Sequence, residues 1–563
     1  MTAVVSPTRD HGTADTNGGI PVTVSPDLRK NLEQRRRRTR RSMFSGWGLT
    51  ALVSVACLVL WEAVARLWLS DLGVIAAPTE IISSIVDDAP LYLRNARITA
   101  TVAALGWLWG NLAAVLVAVL FVQVPVLESL FMRLAVTLFC LPLVAVNPIL
   151  QLTFSLETAR VILAALAVFF TTLVGTMLGL RSADGHPMTM ISAWGGGRWS
   201  ALRYVRVPSG TPAILTGLQI GVPAAILGAI FSEFIGAKSG LGVLLVNGLM
   251  SQDLARVWSV AVIVTVGSVV PYSVIGWLRR KMTPWSTSMS TSQPTSRRAA
   301  GSRVRRFTTG LLWTVASLIV IIVAWYLYLA AFDVSPFVGK DAGDVISYLF
   351  SGAEAASQRS DLLGALGTTA LHAGIGYVTG LVCGVIAATL FVTYPLVERV
   401  FTPVALALRS VPIIVLIPIL ILAFGRGLGG VVVITAIVTF FPTMANTQTG
   451  LQQVSQDGMT LMRSYDASML SRLFRLQLPC ALPSIFAAAR IAAPNAILAA
   501  TLAEWLATGD GLGHFIVIAR AHTDYTGLWA AAAVLTCASL IFYALVSAAE
   551  RRVLERFAPG STE

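Results

Sequence analysis

The chain has 563 residues, 55% of them hydrophobic and only 12% charged, with a mean hydropathy of +0.75. Soluble domains carry about a quarter charged residues, so an ordinary globular protein is excluded. The net charge of +13 fits arginine-rich loops on the inner face of a membrane protein better than nucleic-acid binding. The five cysteines (Cys57, Cys140, Cys383, Cys480, Cys537) show no paired spacing, which argues against a disulfide framework or a metal site.

In chain order, residues 1–43 are polar and end in the arginine block Arg35 to Arg41. They are predicted to be a disordered cytoplasmic tail whose arginines anchor it to anionic lipid. Apolar runs follow, each long enough to span a bilayer as a helix at about 18 residues or more. Runs such as ALVSVACLVLWEAVARLWL lack the alternation of a barrel strand, so helices are expected. Twelve spans are predicted. Six, near 44–69, 97–122, 126–154, 159–181, 209–236 and 257–278, form a first domain at 44–281. Six more, near 307–331, 367–392, 396–424, 428–450, 480–507 and 526–548, form a second at 307–556. A Ser, Thr, Pro and Arg-rich cytoplasmic linker, 282–306, joins them, and 557–563 is a short tail.

With the N-terminus inside, inner segments hold 28 Arg and Lys and outer segments nine, with four inside spans. That asymmetry predicts both termini on the cytoplasmic side. Six spans per domain then make the two domains parallel repeats about an axis along the membrane normal. The repeat is visible in the residues. Positions 106–154 align without gaps on 376–424, with 18 of 49 identical, and 205–242 align on 476–513 at an offset of 271, with 13 of 38 identical. The second window carries an acid ahead of Gly-Leu-Gly in both copies: Glu233 before Gly240 and Gly242, Glu504 before Gly511 and Gly513.

Between the fourth and fifth spans of each domain lies a polar segment ending in proline, RSADGHPMTMISAWGGGRWSALRYVRVPSGTP and QQVSQDGMTLMRSYDASMLSRLFRLQLPCALP. Apolar residues scattered among polar ones suit a short helix or helix pair with one docking face. The proline is expected to open the next span. These segments resemble the "EAA" loop of permease subunits of binding-protein-dependent ATP-binding-cassette importers. That signature runs Glu-Ala-Ala, three residues, Gly, nine residues, then Ile-x-Leu-Pro. Val205 to Pro208 and Leu476 to Pro479 fit its ending, and Gly195 occupies its glycine. Asp466 stands there in the second copy, followed by Ala467 and Ser468. Thr189 and Thr460 replace its glutamate. The resemblance covers roughly 50–280 and 310–555, and is greatest to the nitrate, sulfonate, taurine and thiamine-precursor permeases. Most relatives pair two separate permease chains, and this sequence fuses them.

The resemblance implies a type I importer fold in a bacterial cytoplasmic membrane. An extracytoplasmic binding protein or lipoprotein delivers substrate to such a chain. Two cytoplasmic ATPase subunits using Mg-ATP dock on Thr189, Gly195, Gly196, Arg198, Leu202 and Pro208 in one loop. In the other they dock on Thr460, Asp466, Ala467, Ser468, Leu473 and Pro479. Independently, no GxxxxGK[ST] phosphate loop is present, so an ATP-driven pump must draw energy from partner subunits. No cofactor, catalytic residue or metal ligand set is expected in the chain, which is read as a transport subunit rather than an enzyme.

Ionisable residues within spans are costly and draw attention. Arg409 and Arg490 fall about 15–20 Å from the cytoplasmic end at 1.5 Å per residue, opposite Phe139 and Gln219 in the first copy. Two readings stay open: these four positions line the passage and favour an anion, or the arginines satisfy carbonyls freed by Pro412, Pro418 or Pro494 and tie helices together. His372 reads as a packing or interfacial histidine, and His514, His522 and Asp524 match no strong metal template. Glu233 and Glu504 fall at the outer mouth, as paired gate elements capping the Gly-Leu-Gly turn. The rival function is a 6+6 ion-driven carrier, which needs a buried acid or histidine relay near mid-membrane.

Overall fold

The computed structural model describes residues 55, 58–67, 76–183, 185–234, 236–284, 319–394, 397–398 and 413–557. Residues 58–67, within the compact unit Met1–Trp68, are helical. The second unit, Leu69–Glu563, is built of helices, with no strand among the described residues. The first repeat runs α1 Pro78–Asp87, α2 Ala89–Gln123, α3 Pro125–Cys140, α4 Leu143–Thr153, α5 Leu156–Arg181, α6 Gly185–Ala193, α7 Arg198–Ala201, α8 Val207–Glu233, α9 Leu241–Met250 and α10 Leu254–Met282. The second runs α11 Ile319–Ala331, α12 Ala342–Ile346, α13 Ala355–Thr393, α14 Ile413–Phe424, α15 Leu428–Gln452, α16 Gln456–Ser464, α17 Met469–Arg472, α18 Leu478–Ala507, α19 Gly511–Ala521 and α20 Tyr525–Phe557.

The duplication holds to the residue. α6 and α7 map onto α16 and α17 at the offset of 271, as do the π turns Leu202–Arg206 and Leu473–Gln477 that follow them. Each repeat is held by the helices at its second, fourth and fifth expected spans, with α2, α5 and α8 packed together as are α13, α15 and α18. Small residues set that closeness, the usual device where lipid removes the hydrophobic drive between helices. A Cβ on Gly106 would lie 2.3 Å from the Ala164 Cβ, and one on Gly376 2.4 Å from the Thr435 Cβ. The matched glutamates of the first window also have a role. Glu128, at the start of α3, pairs with Arg181 at the end of α5. Glu398 accepts from Gln448 Nε2 on α15 at 2.8 Å.

Eight helices among the described residues are long and apolar enough to cross a membrane, or nine if one bent pair counts as a span. They correspond to eight of the twelve expected. Only helical remnants of the expected spans 44–69, 307–331 and 396–424 are described, as 58–67, Ile319–Ala331 and Ile413–Phe424. The tail 1–43 and the linker from 285 to 306 lie outside the described residues, as does Arg409.

Two expectations need correction. The span expected as 126–154 is broken: α3 and α4 meet at 98°. Pro142 lacks an N–H to continue the ladder and pushes Leu141 into extended backbone, ψ 115°. Nor does the proline open the fifth span. Helix runs unbroken from Arg198 to Glu233, through the π turn, where the Val207 N–H reaches back to the Leu202 carbonyl. Pro208 follows this widened turn directly, and Pro479 follows the matching turn in the other repeat.

The halves meet reciprocally. α3 and α4 pack on α18 and α20 of the other repeat, while α14 packs on α8 and α10. The α6–α7 and α16–α17 segments lie at one end of the bundle, and the Gly-Leu-Gly turns follow the opposite ends of α8 and α18.

Candidate functional site: paired loops and paired buried acids

Each loop is a helix, a tight reversal and a single helical turn. Gly195 sits at φ +74° and Asp466 at φ +50°. In both, the next amide closes the reversal: Gly196 N–H on the Ile191 carbonyl at 2.9 Å, Ala467 N–H on the Met462 carbonyl at 3.0 Å. Left-handed backbone explains the signature glycine, and aspartate is one of the few L-residues that visits that region routinely. Ser468 caps the following turn, accepting from the Ser471 N–H at 3.3 Å. Thr460 bonds back to the Gln456 carbonyl at 2.8 Å, and the Thr189 carbonyl accepts from Ser192.

The loops are bolted to the bundle at the π turns. Leu202 is buried with Val122 and Leu180, and Leu473 with Leu451 and Ala481. Arg198 Nη1 donates to the Gln123 carbonyl at 3.4 Å. Their other faces are bare. Trp194 is 78% exposed and its counterpart Tyr465 79%, and the pairs Met190/Leu461 and Trp199/Leu470 are exposed as well. Three apolar side chains at identical spacing are thus exposed to solvent on each loop.

At the opposite end the two acids are buried, Glu233 at 1% and Glu504 at 0% exposure. The sequence placed them at the mouth; they end their spans, but the following turn folds back over them. In the first repeat Thr99 Oγ1, on α2, donates to the Glu233 carboxylate at 2.8 Å and accepts the Leu241 N–H at 2.9 Å. The Gly242 N–H donates to Glu233 Oε2 at 2.8 Å, and the Gly240 N–H to Asn95 Oδ1 at 2.7 Å. In the second, Thr369 Oγ1 donates to Glu504 Oε2 at 2.7 Å and accepts the Leu512 N–H at 2.8 Å. The Gly513 N–H reaches Glu504 Oε2 at 3.2 Å.

One threonine and one glutamate thus satisfy the first amides of α9 and α19, where a helix start favours negative charge. Both leading glycines are obligatory. Gly240 is at φ +132° and Gly511 at φ +86°, and a Cβ on either would lie 2.2 or 2.3 Å from the glutamate Cδ beneath it. The counter-groups differ. Arg160, buried with its Nε unbonded, lies within Coulombic reach of Glu233. His372 Nδ1 hydrogen-bonds Glu504 Oε1 at 2.9 Å, so this histidine is an acid's partner rather than packing alone. Thr99 and Thr369 obey the 270-residue offset of the first window, and extending that alignment seven residues upstream would have found them.

The mid-span positions are tied up within their own repeats. Gln219 is buried and donates to the Tyr272 carbonyl on α10 at 3.2 Å. Arg490 Nη1 pairs with Glu550 on α20 at 3.0 Å. Matched positions therefore join the fifth span to the sixth in each half. Phe139 stacks on Phe170, ring centroids 4.3 Å apart. Asp524 accepts from the Tyr348 hydroxyl at 3.2 Å and from the Gly527 N–H.

A family model for the binding-protein-dependent transport system inner membrane component matches residues 110–284 and again 380–555. The chain belongs to this family. As a member with two copies of the domain, it is a transport permease, fused from two halves, and not an enzyme. A formylaminopyrimidine transport permease of Halalkalibacterium halodurans is 31% identical over 180 residues, 32% of this chain and 72% of the relative. An aliphatic sulfonates transport permease of Bacillus subtilis is 24% identical over 279 residues, 49% of this chain but 98% of the relative. A nitrate import permease of Leptolyngbya laminosa is 30% identical over 142 residues, 25% of this chain and 51% of the relative. One whole relative thus fits within half of this permease. The family places it in a membrane, working with a substrate-binding protein.

Proposed function

We propose that this permease forms the passage for a small anionic or heterocyclic solute across a bacterial cytoplasmic membrane. An extracytoplasmic binding protein or lipoprotein delivers the solute. Two ATPase subunits, consuming Mg-ATP, grip the loops from the cytoplasm and drive the halves between outward and inward openings. The observation that carries this reading is the pair of bare apolar faces, Met190/Trp194/Trp199 and Leu461/Tyr465/Leu470, repeated at one offset. A carrier driven by an ion gradient has no use for a duplicated docking face. The substrate class leans on the relatives named for formylaminopyrimidine, sulfonates and nitrate.

At the outer end, Glu233 and Glu504 brace the turns that Gly240, Gly242, Gly511 and Gly513 make. Arg490 is charge-compensated by Glu550, so a preference for anions in the passage falls chiefly to Arg409. Co-expression with a candidate ATPase subunit tests the proposal. The expected outcome is a stable complex that hydrolyses ATP and takes up solute without an ion gradient. Uptake that follows a proton or sodium gradient, with no ATPase bound, refutes it. Arg409→Ala is expected to weaken anion uptake more than Arg490→Ala at equal expression.

A further inference from the structure

The residue after each acid is aromatic: Phe234 follows Glu233, and Trp505 follows Glu504. The 271-residue offset makes them counterparts, and they touch. Their rings stack with centroids 5.9 Å apart and planes 13° off parallel. Phe231, buried, adds an edge contact to Trp505 at 5.7 Å. In a two-fold arrangement a residue that meets its own counterpart lies on the axis. In a permease of two halves the passage runs along that axis. The geometry points to Phe234 and Trp505 as the outer gate of this passage, a stacked pair that closes it at the outer ends of α8 and α18.

The bonding around the pair fits a part that separates. Each glutamate is fixed to a threonine and to a Gly-Leu-Gly amide of its own half. Those bonds lock the outer end of the fifth span, its turn and the following short helix to the second span as one body. What crosses directly between α8 and α18 here is aromatic, with no hydrogen bond between the two helices among the described residues. Among the described residues two polar bonds beside it join the halves, Arg520 Nη2 to Gln151 Oε1 at 3.3 Å and the Tyr328 hydroxyl to Thr153 Oγ1 at 2.8 Å. The aromatic contact is strong enough to exclude water and weak enough to part. The acids therefore act as positioning residues: they hold the rings on the axis without lining the passage.

This inference rests on the importer reading, and its test keeps the two apart. The full chain with its ATPase subunits is placed in liposomes, with native cysteines changed to alanine and Phe234→Cys combined with Trp505→Cys. A short reducible bis-thiosulfonate is expected to join the pair without nucleotide and to lower ATP hydrolysis at least tenfold, reversed by reductant. Trapping the ATPases with vanadate is expected to cut the cross-linking yield at least fivefold. A yield indifferent to nucleotide, or full hydrolysis in the cross-linked complex, overturns the gate. Phe234→Ala with native cysteines is a second probe: hydrolysis without binding protein should rise at least threefold, and an unchanged rate overturns the gate. If the unaltered chain captures no ATPase, the importer reading falls by itself. Cross-linking of the chain alone then still decides whether the rings face each other, and its absence refutes the assignment.

Discussion

Thr369→Val tests the brace with almost no change in shape. The hydroxyl does two things at once, donating to Glu504 at 2.7 Å and accepting the Leu512 N–H at 2.8 Å. Valine keeps the volume and removes both. A hydrogen bond between membrane helices averages about 0.6 kcal/mol, which puts the two bonds at roughly 1 kcal/mol. The orphaned N–H and the loss of a donor from a fully buried carboxylate add about 1–2 kcal/mol more. The expected loss is therefore about 2–3 kcal/mol, a drop of roughly 2–3 °C in midpoint at about 1 °C per kcal/mol, since the unfolding entropy of about 2.1 cal/mol/K per residue grows with the size of the unit Leu69–Glu563. Thermal unfolding of the purified chain in detergent, followed by loss of the monodisperse peak, reads it. Thr369→Ser restores the hydroxyl and should recover most of the shift. A Thr369→Val midpoint within 1 °C of the unaltered chain, or a serine variant as unstable as valine, refutes the reasoning.

Other outcomes follow from the same geometry. Asp466→Gly relieves left-handed backbone at φ +50° and should raise stability by about 0.5–1 kcal/mol, while Gly195→Ala should cost about 1 kcal/mol; a reversed sign for either, in the same melting assay, counts against the reading of the turn. Trp194→Ala with Trp199→Ala removes two exposed rings that support nothing inside the bundle. It should weaken capture of the ATPase subunit at least tenfold, the scale of one interface hot spot, with an unchanged melting midpoint. The Tyr348 phenol is pushed up to about 12, first by burial and then by the neighbouring Asp524 charge. Its folded pKa lies above the unfolded one near 10, so the stability it contributes is complete below pH 10 and is lost as pH rises toward 12. Tyr348→Phe should flatten the fall in melting midpoint across that window, and an identical slope in both proteins would reject the assignment.

Much of this protein was legible in its residues because duplication leaves a record that needs no coordinates. Proline, glycine and acid recur at fixed offsets. Long apolar runs cannot be anything but spans, and the loop spacing marks two equivalent segments. The positive φ shared by Gly195 and Asp466 shows why the second copy accepts an aspartate where the signature has glycine. The broken third span and the π turns before Pro208 and Pro479 were not readable. Each depends on how a proline's missing N–H is accommodated locally, and apolar sequence is silent on that.

By itself the sequence determined that this chain crosses a membrane in two like halves, and that an acid precedes each Gly-Leu-Gly. Only the tertiary structure decided what the acids do. Thr99 and Glu233 are 134 residues apart, Thr369 and Glu504 135, and a threonine in an apolar helix gives no hint of its partner. The meeting of Phe234 with Trp505 was further still from view. In lipid-facing helices that are apolar on every side, no periodicity distinguishes the face turned to the axis from the face turned to lipid, and packing alone makes that choice.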